Sequence, residues 1–505
     1  MRKNILYIAA LCCLLLVGCS SDEEIFQPHD TVPVTSALAL QVKESGYRNT
    51  VTTRSSEEMS EDELATRFTD GDRLGLIIEA AGSVEHVVYT YSSSQWTSSA
   101  SLYYDPEATY AAYYPYRPEF DGKSLEEVEA AFSPMQDQSD YATGYAASDF
   151  MMCRNVVCDT EEMLLQINLV HQYSLLRMPL QLPMTVTCGG KQYPFTISAT
   201  DVAFHIDGKP YRAWIDGDGY ARLILKSTTT STAVKAAYTY TCIDETSRGE
   251  YSVTASALQS GMYHDLSSPL IKDFGVYAQT RTGDYYINSE YEGNPYYLIP
   301  GEVTDIQEAK DNCIGIVLKA GRDREGSWAD NCDYKLKGST TSMSEVHGCV
   351  LALRDANGGN TCKWESNKTE VDCDKSQTTG FNGYSNTQTI IKYNKDNQIG
   401  QELQDAFPAV YHATIGYDGQ CQAPANTSGW FLPSGGQCNY WLHNRDVILR
   451  SIQNARGDGW QDKYWSSSND SDEPTRYAYY LHMSDGRMGS FGKKGTNAVR
   501  AVLAF

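Results

Sequence analysis

The chain closes on Ala498-Val499-Arg500-Ala501-Val502-Leu503-Ala504-Phe505, an apolar run with one charge inside it. An apolar tail is costly in water, so the run predicts a strand buried at the centre of a small α+β unit. The residues before it point the same way. Ser434 and Gln437 have the S-x-x-Q spacing of a capping box, in which each side chain satisfies a free N–H at a helix start. Trp441, Leu442, Ile448, Leu449, Ile452 and Ala455 form a stripe compatible with one helical face, and Gly457 stands where a helix stops. Short runs rich in Tyr and Ser follow, broken by acidic and Gly turns.

The opposite end sets the compartment. Arg2 and Lys3 precede an apolar run from Ile5 to Val17, which is too short to span a bilayer and reads as a signal peptide. It ends in Leu16-Val17-Gly18-Cys19, a lipobox in which Cys19 is the expected lipidation site. The acidic cluster Ser20 to Glu24 resembles the surface-export signal of certain Gram-negative lipoproteins. Lipid on Cys19 is therefore the expected tether to the outer membrane.

The net charge of −23 argues against nucleic acid, whose phosphates need a basic surface. Thirty-six Tyr against thirteen Phe suits exposed sheet, with Tyr hydroxyls in water. From Phe68 to about Leu266 the pattern is almost wholly β. Leu165, Ile167 and Leu169 alternate with polar residues, as do Val234, Ala236, Tyr238 and Tyr240, and turns such as Asp207-Gly208 and Asp218-Gly219 separate the runs. Asp216 and Asp218 read as hairpin-turn residues rather than a calcium loop. Such strands at regular spacing mean sandwiches. A short helix and long connection around Ser124 to Asp149 mark an expected boundary between two of them. Upstream, "SALALQVKE" predicts a strand with Leu38, Leu40 and Val42 on one face, and Arg54 lies in a Ser/Thr/Glu-rich stretch exposed to proteases.

Two family resemblances rest on these stretches. "GWFLPSGGQ", "YWSSS", the "DGRMGSFGKK" turn and "VRAVLAF" resemble, in that order, the C-type-lectin-like domain at the end of many bacterial surface lipoproteins. "FTDGDRLGL", a turn at Trp96, "YAAYYPY", "QDQSDYATGYAASDFMM" and "MLLQINLVHQYSLLRMPL" resemble the fimbrillin family of lipoprotein pilins, over residues 35–267. The second resemblance implies two transthyretin-like β-sandwiches. It also implies cleavage after an Arg that frees the first strand, so that a donor strand from another fimbrillin subunit fills the groove by β-augmentation. Arg54 matches that processing site by position, with Arg48 and Arg67 as competitors. A family shaft pilin donates a C-terminal strand, whereas here the matching end near Leu266 runs into a further domain whose last strand is buried. A subunit that accepts without donating belongs at the tip.

The implied architecture is mostly β: two transthyretin-like β-sandwich domains followed by an α+β C-type-lectin-like domain. Residues 1–18 are the signal peptide, 19–54 the lipid-anchor linker and removable strand, 55–150 and 151–268 the two sandwiches, and 269–505 the adhesin domain. Catalytic motifs H-E-x-x-H, G-x-S-x-G and the P-loop are absent, and His171 reads as structural. The Cys lack finger spacing, so no metal site is assigned to them. An exported chain with fourteen Cys predicts disulfides, with Cys153–Cys158 or Cys188–Cys242 as local candidates. Ligand binding is expected in "YWSSSNDSDEPTRYAYY", through Trp465, Asn469, Asp470, Asp472, Glu473 and Tyr477, since aromatic faces stack on sugars while amides and carboxylates accept hydroxyl hydrogens. The same oxygens suit Ca²⁺, although no full ligand set is spelled out and no cofactor is assigned. The expected function is a surface-exposed fimbrial tip subunit binding a host or glycan ligand. The alternatives are a glycan-binding lipoprotein never built into a pilus and an enzyme on the lectin-like fold, which needs a reactive Cys.

Overall fold

The computed structural model describes residues 38–49, 64–242, 245–266, 272–320, 334–367, 369–397 and 402–505. Cys19, Arg54, Cys332 and the signal peptide lie outside the described residues. The described chain is mostly β.

An eight-stranded sheet comes first. Its long strands are Arg73–Ala80, Ser83–Ser92, Thr109–Tyr114 and Leu164–His171. The last alternates buried and exposed residues while Arg73–Ala80 and Thr109–Tyr114 are buried on both faces, and Leu74, Leu76, Leu165, Ile167 and Leu169 are all fully buried. Its two edges, Ala39–Ser45 and Gln95–Thr97, approach one another, with the N–H of Leu38 donating to the carbonyl of Leu102. Helix Leu125–Ala131 packs Leu125 and Val128 with Phe132, Phe150 and Tyr173, and Ser124 with Glu127 forms a complete capping box at its start. The expected break at residues 150/151 falls inside this sheet, because Met151–Cys153 pairs with both Thr109–Tyr114 and Leu164–His171. The helix and long connection are an excursion that returns the chain to the sheet it left. The change of sheet comes at Gln172.

Two further sheets then pack face to face. A five-stranded sheet is built on Tyr173–Pro179 and Tyr220–Lys226, and a six-stranded one on Gln181–Cys188, Lys191–Ile206, Thr232–Cys242 and Glu245–Ala255. Leu176, Met178 and Leu223 meet Leu182, Met184, Phe195 and Val234 between them. The alternation predicted for Val234, Ala236, Tyr238 and Tyr240 is present, all four being buried. At Asp207-Gly208 both residues take positive φ, 49° and 78°, the type I′ hairpin for which that dipeptide is suited. Past residue 271 the chain pairs again, Lys272–Val276 running parallel to Met184–Thr187 at the sheet edge.

The C-terminal unit has a five-stranded sheet in the order Tyr297–Ile299, Tyr285–Ile287, Cys313–Ala320, Gly348–Ala352, Val502–Ala504. The final strand is thus at the end of the sheet rather than its centre. It is buried nonetheless, because the segment 428–431 seals its outer side: the N–H groups of Phe431 and Ser428 donate to the carbonyls of Val502 and Ala504. Helices Gly435–His443 and Arg445–Asn454 cover the sheet, breaking at Asn444 where one continuous stripe was expected, and the Ser434–Gln437 capping box is complete. Helix Gly383–Asp396 lies in a stretch that reads as a polar loop. Its buried face includes Asn386 and Thr387 beside Tyr384 and Ile390, so the helical period is carried partly by polar residues and apolar periodicity does not show it.

None of the ten described cysteines is in a disulfide. The expected disulfides fail on register. Cys153 continues a strand whose Met152 faces Val170, while Cys158 faces Leu165, so their places along Leu164–His171 differ by four residues, roughly 13 Å, against a bridgeable limit near 7 Å. Cys188 and Cys242 lie on strands separated by Lys191–Ile206, near opposite ends of the Gln181–Cys188 pairing.

Candidate functional site

The strand Ala39–Ser45 is paired to the first sheet by one parallel ladder, from Ala39 opposite Leu164 to Ser45 opposite Val170. Leu38 is buried and Leu40 and Val42 half-buried on the inner face, as the alternation predicts, and both outer residues Gln41 and Lys43 are exposed. Arg48–Asn49 then continues parallel to Met262–Tyr263 on the five-stranded sheet. One short segment therefore closes the edge of two sheets. A cleft of about 700 Å³ opens between it and the opposite edge at Gln95–Leu102, floored by Phe68, Tyr89 and Trp96.

The apolar phase Leu38, Leu40, Val42 continues to Glu44, where a charge occupies an inward position. The cause is His171. Its ring is fully buried, its Nδ1–H donates to Asp149 Oδ1 at 2.8 Å, and its Nε2 lies 3.4 Å from Glu44 Oε2. Tyr47 stacks on the imidazole with centroids 3.8 Å apart and donates its hydroxyl to Asp149 at 2.7 Å. Thr66 donates to the second Asp149 oxygen at 2.7 Å. Burial disfavours the imidazolium, but Asp149 and then Glu44 outweigh it and lift His171 to about 9. Burial would raise Asp149, but the imidazolium and the hydroxyl donors hold its carboxyl below the usual carboxylate range. His171 is structural, as the sequence suggests, and what it holds is the N-terminal segment.

The C-terminal motifs turn out to be interior. Trp465 and Asn469 are fully buried, Trp465 Nε1 donating to the Cys362 carbonyl at 2.8 Å and Asn469 Nδ2 to the Val371 carbonyl at 2.7 Å. These two expected ligand residues fix the loop to the core and do not face solvent. The three serines of "YWSSS" are buried too; Ser468 Oγ accepts from Gly435 N–H at 3.0 Å and Ser466 Oγ donates to the Tyr479 carbonyl at 2.8 Å. Lys493 of the "GKK" turn lies over the Trp364 ring 4.0 Å from Glu365, and Arg500 of "VRAV" donates to Asp355 at 2.7 Å, both pairs buried. Of the expected ligand set, Asp472 and Glu473 are exposed, and Asp470 and Tyr477 half-exposed. Asp470 spends one oxygen on the N–H groups of Asp472 and Glu473, each at 2.9 Å, and Glu473 pairs with Arg476. Among the described residues, no group of three or more His, Cys, Asp or Glu is placed to hold a metal.

A second surface was not legible in the sequence. A cleft of about 510 Å³ brings Arg281, Lys319 and Arg450 together with Glu302, Tyr440 and Asn444. Arg281 pairs with Glu302, and Lys319 lies 5.1 Å over the Tyr440 ring. Its members come from separate segments with no shared motif. At four buried cysteines nucleophilic chemistry is disfavoured: burial pushes Cys313, Cys349, Cys362 and Cys373 up to about 12, the reverse of what a nucleophilic thiol needs.

No family model matches the chain. A Bacteroides ovatus protein provisionally named as a fimbrium tip subunit, Fim1C, is 25% identical over 574 aligned residues, covering 100% of both chains. A fimbrial protein of Bacteroides ovatus has a solved structure, 19% identical, that covers 93% of this chain and 99% of its own at a TM-score of 0.40. A Bacteroides uniformis structure, provisionally named as a cell adhesion protein, is 15% identical and covers 46% of this chain and 92% of its own at a TM-score of 0.29. None of these three proteins is named as an enzyme. The chain is thus similar along its full length to a protein named as a fimbrial tip subunit.

Proposed function

We propose that this protein is a surface-exposed fimbrial tip subunit. In this reading its N-terminal strand is removed after Arg54, a strand of another subunit takes its place, and the C-terminal unit binds a host or glycan ligand. The single observation that supports this best is an asymmetry in how the chain's strands are held, taken with the full-length likeness to a named tip subunit. Ala39–Ser45 is an added edge, paired on one side by one parallel ladder and followed by the segment that contains Arg54. The last strand, by contrast, is engaged inside the molecule. Val502–Ala504 is enclosed between Gly348–Ala352 and Phe431, whereas Lys272–Val276 is a sheet edge paired on one side only. Replacement of an edge strand is β-augmentation, in which main-chain bonds supply affinity and alternate side chains supply specificity.

Within the proposal the sandwiches are transthyretin-like, the last unit is C-type-lectin-like, and Cys19 carries the lipid that first anchors the chain to the outer membrane. Ligand contact then falls to Asp470, Asp472, Glu473 and Tyr477. N-terminal sequencing of the protein from sheared filaments tests the reading. A mature chain beginning at Ser55 in filaments is the expected result. A chain that keeps Cys19 and is absent from filaments would overturn it and leave a membrane-anchored glycan-binding lipoprotein.

A further inference from the structure

We infer that the groove under Ala39–Ser45 selects its occupant by charge: the strand that replaces this segment carries an Asp or Glu at the position opposite Leu169, in phase with its apolar residues, to meet His171. The inference rests on the strand-replacement reading proposed above. The partner it specifies is an extended segment of a second subunit with apolar residues at alternate positions, ending in a carboxylate.

The geometry carries the argument. Along Leu164–His171 the inward residues are Leu165, Ile167, Leu169 and His171, so the groove is apolar for three positions and polar at its end. The native occupant matches this order with Leu38, Leu40, Val42 and then Glu44, whose register partner is Leu169. Asp149 takes Nδ1 of the imidazole, and its remaining capacity is used by Tyr47 and Thr66. Nε2 faces Glu44 Oε2 at 3.4 Å as an ion pair, and neither atom has a hydrogen-bond partner among the described residues. Withdrawal of the strand removes the one group that faces Nε2, together with the Tyr47 ring. An occupant with Leu at this position would cover a buried N–H without accepting from it, which costs more than the added apolar contact gains when the donor is charged. A carboxylate restores the arrangement, and a neutral amide accepts more weakly.

The test uses the full chain cut by limited trypsin digestion between residues 49 and 64, with the new N-terminus sequenced. The cut protein is mixed with labelled synthetic peptides copying residues 38–49, with Glu44 retained, Glu44→Gln or Glu44→Leu, and uptake is measured by competition. The expected result is that the Glu peptide is taken up about tenfold or more tightly than either variant, the scale of a charge-assisted hydrogen bond. The preference should shrink to within about twofold on His171→Gln protein. Equal uptake of all three peptides would overturn charge selection and leave strand replacement standing. Uptake of none would overturn strand replacement and charge selection together. If His171→Gln does not fold, the peptide series on the unsubstituted protein still decides.

Discussion

Replacing Arg500 should unfold the C-terminal unit long before the sandwiches are affected. Arg500 is fully buried and its guanidinium holds Asp355 at 2.7 Å, while Nη2 donates to the carbonyls of Asp458 and Gly459 at 3.1 and 3.2 Å. The Trp460 ring lies 4.9 Å from its Cζ. Arg500→Ala strands the Asp355 carboxylate with the Tyr464 hydroxyl at 3.3 Å as its remaining side-chain donor and frees the carbonyls of Asp458 and Gly459. Breaking a buried pair from one side costs about 3–5 kcal/mol. Asp355 can relieve part of this by taking up a proton, because burial already raises its pKa against the pull of Arg500, so about 3 kcal/mol is the better figure. For a unit of this size that is a fall in Tm of about 6–12 °C. Tryptophan fluorescence reads the transition directly, since Trp441, Trp460 and Trp465 belong to the unit. The double variant Asp355→Leu with Arg500→Met should be less destabilised than Arg500→Ala, because it leaves neither charge uncompensated. A shift under about 2 °C for Arg500→Ala, or a double variant worse than the single, would refute the reasoning.

Other expectations follow from the same contacts. His171 has a folded pKa of about 9, above its unfolded value, so its stabilisation is complete below about pH 6.5 and fades as pH rises through 9. Melts of the first sheet from pH 6 to 10 should fall through that window, and His171→Gln should flatten the fall. Ser434→Ala removes the acceptor for Gln437 N–H and the donor to the Gly380 carbonyl, and should cost about 1–2 kcal/mol in chemical denaturation. Reductant should leave the melting of the second sandwich unchanged, since no disulfide holds Cys188 or Cys242, and iodoacetamide should label Cys313 and Cys349 after unfolding and not before. Asp470→Ala should loosen the 470–473 turn, raising hydrogen exchange at Asp472 and Glu473 while shifting stability by under about 1 kcal/mol.

What could be read from residues alone was whatever depends on local period and local hydrogen bonding. Alternation along Leu165–Leu169 and Val234–Tyr240, the capping box at Ser434, and the turn at Asp207-Gly208 are properties of a few neighbouring residues, so they survive without knowledge of the rest. The strand from Leu38 was legible for the same reason. The helix at Gly383 was not, because its buried face contains Asn386 and Thr387, whose burial is licensed by partners distant in sequence such as Ser467 and Leu432. The sandwich boundary was misplaced because a long excursion looks the same whether the chain leaves a sheet or returns to it.

Sequence alone determined the β-rich character, the acidic surface, the order of the strands and the apolar phase of the segment that closes two sheets. Tertiary structure alone decided which motif residues face inward. Trp465 and Asn469 have the chemistry of a sugar site and the burial of a core, and only the approach of Cys362 and Val371 distinguishes the two. It also decided what Glu44 is for: a charge in an apolar phase is an anomaly until His171, well over a hundred residues away in the chain, is seen 3.4 Å from it. The physical reason is common to both cases. A polar group's role is set by the partner that satisfies it, and in a chain of paired strands that partner is chosen by register, which joins residues that sequence keeps far apart.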